Sequence, residues 1–224
     1  MPKSNTVTGP FCLLWVLFSG CFLLAGDSPP LRFIWQKNNQ RGAIEFYRLE
    51  LSEKGTGQFQ FKNRAGDLVE VSLALRPSTV DSLLALFVQA DFWNESKNFV
   101  SSRKVADMGM KTIRLESGLR SREVTFNYTE DKNLQEIMNF FENLCQQEKT
   151  LFEIDLALKY DRLGIPKKLD ELEGNLTAKR IVAPERFAPV LEKIYQDETL
   201  MNLARKEARK ILSKIEKMQS FANY

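Results

Sequence analysis

Apolar positions along this chain follow three patterns in succession. Residues 11–25, FCLLWVLFSGCFLLA, are apolar or small throughout and present no polar face. Residues 31–75 and 112–128 alternate apolar and polar side chains, a period of two that predicts strands. From residue 131 to 218 apolar residues recur every three or four positions, the spacing of amphipathic helices.

The alternating stretches predict six strands. Leu31 to Trp35 is the first and Ala43 to Leu51 the second. Within the second, Ile44 and Phe46 are out of phase with Leu49 and Leu51, so a bulge is expected. After a turn at Gly55-Thr56-Gly57, Gln58 to Lys62 puts Phe59 and Phe61 on one face. After a turn at Ala65-Gly66-Asp67, Leu68 to Leu75 does the same with Val69, Val71, Leu73 and Leu75. Thr112 to Ser117 and Glu123 to Tyr128 follow, with Gly118 in the turn between them. Short glycine-bearing turns between such strands imply an antiparallel sheet with one dry face.

A helix over 77–90 opens on Pro77 and Ser78 and places Val80, Leu83, Leu84, Phe87 and Val88 on one side. Residues 94–110 have no period, and a loop of that length is expected to be functional or mobile. Helices are then predicted over 132–147, 149–163 and 166–173, from Pro184 through Ile194, and from a cap at Asp197 to Met218. The fold class is therefore α+β: an antiparallel sheet of about five to six strands with packed helices over 31–147. A small all-helical region over 148–218 follows, then a tail at 219–224.

The apolar run near the N-terminus is preceded by Lys3 and followed by GDSPP. It is shorter than the ~20 residues a bilayer span needs, and it has the layout of a secretory signal peptide. Residues 1–26 are read as signal peptide or membrane anchor and 27–30 as a linker. The expected location is extracytoplasmic in a bacterium: periplasm, cell surface or secreted. Phe18-Ser19-Gly20-Cys21 resembles a bacterial lipoprotein cleavage motif, which would put a lipid on Cys21. Without the leader only Cys145 remains, so no internal disulfide forms, and its helical position reads as a small buried hydrophobe. Asn94, Asn127 and Asn175 head N-x-S/T sequons that matter only in a host that glycosylates exported proteins.

Composition narrows the chemistry. The 32 basic and 29 acidic residues leave a net charge of +3, too little for a global field that would gather nucleic acid. The chain has no histidine, which excludes a Ser-His-Asp triad, a Cys-His pair and a His-ligated zinc. Lys54-Gly55-Thr56-Gly57 leads into a strand rather than a helix, so it is a hairpin turn and not a phosphate cradle. Asp107-Met108-Gly109-Met110 offers too few ligands for a metal, and no cofactor is expected. Asp91, beside Phe92 and Trp93, is the one carboxylate in an aromatic setting. It is the candidate for an alternative reading, a carboxylate- or metal-dependent hydrolase.

The last helix carries Ala204, Ala208, Ile211, Leu212 and Ile215 along one face and Lys206, Arg209, Lys210, Lys214 and Lys217 along the other. The expected function is a non-catalytic exported binding or envelope-associated module with protein partners, any membrane association running through the N-terminus. A third reading is a lipid-anchored structural component of the envelope. Expected contact residues are Phe99 and Arg103 in the irregular loop and Lys206, Arg209 and Lys210 on the last helix.

Overall fold

The computed structural model describes residues 30–39, 43–64 and 66–222, with side chains to Ser220. The leader, Cys21 included, lies outside the described residues. Six strands form one antiparallel sheet in the order β4-β3-β2-β1-β5-β6. They are β1 (Leu31–Asn38), β2 (Ile44–Ser52), β3 (Thr56–Asn63), β4 (Leu68–Ala74), β5 (Met110–Ser117) and β6 (Arg120–Phe126). The first strand therefore lies inside the sheet, paired with β2 on one side and β5 on the other. The bulge falls between Ile44 and Phe46, early in β2. It returns Leu49 and Leu51 to the dry face with Phe33, Trp35, Phe59, Phe61, Ile113 and Leu115.

The other face of the sheet is polar. Arg32 bonds Glu50 at 2.8 Å and Glu116 at 3.3 Å, across two neighbouring strands. Cross-strand pairs of opposite charge suit a face turned to water.

Helices α1 (Pro77–Gln89) and α2 (Lys132–Tyr160) cover the dry face. Pro77 stands in the first turn of α1, where its missing N–H costs nothing. Asp131 caps α2 by accepting from the Leu134 N–H at 2.9 Å. A helix break at 148 was expected, but α2 is a single helix of 29 residues. Nothing between 132 and 160 is glycine or proline, so nothing local stops it.

After a short 3-10 turn at Arg162–Gly164 come α3 (Ile165–Thr177), α4 (Ala188–Gln196) and α5 (Asn202–Ala222). α3 runs on through Gly174 rather than ending there. α5 begins at Asn202, and Asp197 instead holds the preceding turn through the Thr199 N–H and hydroxyl. The apolar face of α5 is docked: Ala204, Ala208, Ile211 and Ile215 are buried.

Two apolar clusters result. One joins the sheet, α1 and the first half of α2; the other joins the second half of α2 to α3, α4 and α5. Between them Gln147 and Glu148 have no exposed surface. Gln147 Oε1 accepts from the Val182 and Ala183 N–H groups, at 3.0 and 2.8 Å. Its amide donates to Glu148, which forms a two-pronged pair with Arg186, both contacts at 2.6 Å. Each of these buried polar groups thus has a partner.

Candidate functional site

A concavity lies where the ends of β1 and β5 meet α2. Lys37 on β1 reaches Glu142 on α2 at 2.7 Å, and the side chains keep 21% and 34% of their surface exposed. Two hollows share this ion pair as a wall, one of about 170 Å³ and one of about 190 Å³. The first is further lined by Met108, Met138, Lys111 and Gln135. The second is lined by Trp35, Tyr47, Cys145 and Gln146.

The strands fix these positions by alternation. Trp35 and Lys37 are two residues apart on β1, and Lys111 lies opposite Lys37 on β5. Lys111 is 3% exposed, and its ammonium donates to the carbonyls of Met108, Gly109 and Asn127. All three of its donors are used, so it anchors the start of β5 and adds fixed positive charge beneath the first hollow. Burial, then the nearby Lys37 charge, lowers its pKa. In the second hollow burial pushes the Tyr47 phenol up to about 12, helped by Cys145, Glu142 and Glu153. Burial also pushes the Cys145 thiol upward, with Glu142 and Glu148 adding to the effect. A thiol held in its neutral form is a poor nucleophile, so Cys145 acts here as wall.

The residues singled out in the sequence are scattered. Phe99 is 3% exposed and stacks on Phe92 with ring centroids 5.7 Å apart. It is a core residue, and its ring is not offered to a partner as the sequence reading expected. The Arg122 guanidinium explains the burial: it lies 5.0 Å from the Phe99 centroid and donates to the carbonyls of Phe92, Asn94 and Lys97. The start of the loop is thereby tied to β6. Arg103 is exposed, with Glu130 at 4.0 Å. On α5, Lys206 is exposed, Arg209 lies over Tyr195 at 5.4 Å, and Lys210 pairs with Glu173 at 2.6 Å.

Asp91 is exposed and accepts from the Asn94 amide at 2.8 Å. It lines neither hollow, and among the described residues Glu142 is the one carboxylate that does. Among the described residues no three His, Cys, Asp or Glu side chains gather as a metal site. Asn94 holds a turn through Ser96, and Asn175 lies on α3. Asn127 spends its side chain on the backbone of Ala106 and Met108. None of the described helices is long and apolar enough to cross a membrane.

Lys37, Tyr47, Lys111 and Glu142 were not singled out in the sequence. They come from four elements, and no local spacing links them. A lysine at an inward position of a strand was the available signal, at both 37 and 111. The sequence matches no protein-family model and no curated protein.

Proposed function

We propose that this chain is an exported, non-catalytic binding module, and that the paired hollows around Lys37 and Glu142 seat side chains of a protein partner. The observation that carries the reading is their size. Sites for drug-sized molecules and cofactors run to roughly 300–1,000 Å³. Each hollow here is smaller, about 170 and 190 Å³, and suits one large side chain. The methionine-walled hollow fits an apolar side chain, since thioethers adapt to varied shapes. The hollow with Tyr47 and Gln146 fits a polar one, and the partly buried ion pair between them gives charges of both signs to match. The leader supports export.

Site-specific photo-crosslinking in the cells that make the full chain tests this. A crosslinking residue at Met108 should trap a discrete protein adduct. The same residue at Thr112, on the polar face of the sheet, should not. Lys37→Glu should abolish the Met108 adduct. No adduct at Met108, or equal adducts at both positions, would remove the cleft as the contact site.

A further inference from the structure

Arg186 does more than neutralise Glu148. Its guanidinium also donates to two backbone carbonyls of β4, Ala74 at 3.1 Å and Ser72 at 3.2 Å. β4 is the outer strand at its end of the sheet. An outer strand presents unpaired N–H and C=O groups on which another strand can form. In an antiparallel strand the N–H and C=O of one residue point to the same side. The outward groups of β4 are therefore those of Leu68, Glu70, Ser72 and Ala74. Among the described residues, no backbone–backbone hydrogen bond from outside the sheet reaches Leu68 or Glu70. One half of this edge is open and the other half is closed by a single side chain.

We propose that Arg186, held by Glu148, keeps the β4 edge from pairing with the β4 edge of a second copy of this chain. The arithmetic of register supports this. A two-fold pairing centred on Val71 places Glu70 opposite Ser72 of the second copy and Leu68 opposite Ala74. It avoids the like-charge contact of a pairing centred on Glu70. Both registers need the Ser72 carbonyl, which Arg186 occupies. A pairing that leaves Ser72 free has only the Leu68–Glu70 stretch, too short to hold two chains. The geometry of the guard is specific to arginine, whose fork serves the carboxylate and both carbonyls at once. The segment carrying it is also held by bonds that do not involve Arg186, from the Val182 and Ala183 N–H groups to Gln147, and by the Arg76–Glu185 ion pair at 3.6 Å. The guard can thus be removed without detaching its support.

Sedimentation velocity over a range of concentrations tests this on the chain purified as its cells make it. The natural chain should stay monomeric. Glu148→Gln with Arg186→Met should shift the sedimentation coefficient toward the dimer value as concentration rises. Adding Ser72→Pro, which removes an outward N–H without touching the pairing with β3, should return the monomer. Should the double variant not fold, Arg186→Lys carries the test, since it keeps the charge pair but cannot cap both carbonyls. A folded variant that stays monomeric at all concentrations would overturn the proposal. So would a dimer that survives Ser72→Pro, or a natural chain already dimeric through β4.

Discussion

The indole of Trp35 and the ring of Phe141 lie parallel, 4° apart in plane, with centroids 5.7 Å apart. Phe141 also meets Phe87 edge-on, so one ring on α2 packs against both β1 and α1. Neither Trp35 nor Phe141 has exposed surface. Phe141→Ala should cost about 3–5 kcal/mol, the usual range for emptying a buried phenylalanine site. Because α2 belongs to both apolar clusters, the near-UV aromatic signal and the far-UV helical signal should still fall together in urea. Two separated transitions would show that the clusters unfold independently.

Asp131 sets the start of α2. Burial raises its pKa, but the Leu134 N–H and the Lys97 ammonium outweigh that and hold it below 3.8. Its contribution is present above that value and is lost as pH falls through the lower folded value. Asp131→Ala should lower stability by about 1 kcal/mol at neutral pH. The gap from the natural chain should close in acid. A gap independent of pH would mean that the charge of the cap contributes nothing.

Tyr47 should govern part of the alkaline limit. Its phenol ionises at 10 when free and at about 12 in the fold, chiefly because it is buried. The neutral form favours the folded state, so its contribution is present below pH 10 and disappears as pH rises to about 12. Lys111, lowered by burial, acts with the opposite sign below 10.5. Comparing the natural chain with Tyr47→Phe cancels that effect, and their stability difference should shrink over this window. A constant difference would place Tyr47 in contact with water.

Cys145 should resist a thiol reagent at pH 8 in the folded chain and react on unfolding in urea. Mass mapping of its peptide separates it from Cys12 and Cys21. Rapid labelling of the folded chain would mean that the wall of the second hollow opens.

Export predicts an intact mass that begins at Gly26 or Asp27 in the soluble fraction. A membrane-bound mass beginning at Cys21 with added acyl groups would make the protein a lipoprotein. A full-length mass would show the leader retained.

The sheet was legible because Phe59 and Phe61, or Ile113 and Leu115, declare their face by alternation and glycine marks the turns. The middle of α2 was not. Gln147 and Glu148 lie on its apolar stripe between Leu144 and Leu151, where two polar residues look like the end of a helix. What satisfies them, Arg186 and the Val182 and Ala183 backbone, is more than thirty residues away in sequence. Phe99 was misplaced for a related reason: a segment without period gives no face, and Arg122 on β6 decides which way its ring turns. The cleft failed to show because Lys37 and Glu142 are ordinary charged residues until the sheet and α2 bring them together.

The position of β1 inside the sheet constrains the order of folding. Strands β1 to β4 are separated by only a few residues in sequence, so they can pair as they emerge from the ribosome. The other side of β1 must wait for β5, since Leu31 pairs with Ser117 and Asn38 with Met110. Pairings across such sequence separations close large loops and slow the rate of folding. Until that pairing forms, the nascent chain carries the bare edge of Leu31–Asn38, whose Phe33, Ile34 and Trp35 are buried in the finished fold. This is the interval in which the chain depends most on a chaperone or on dilution.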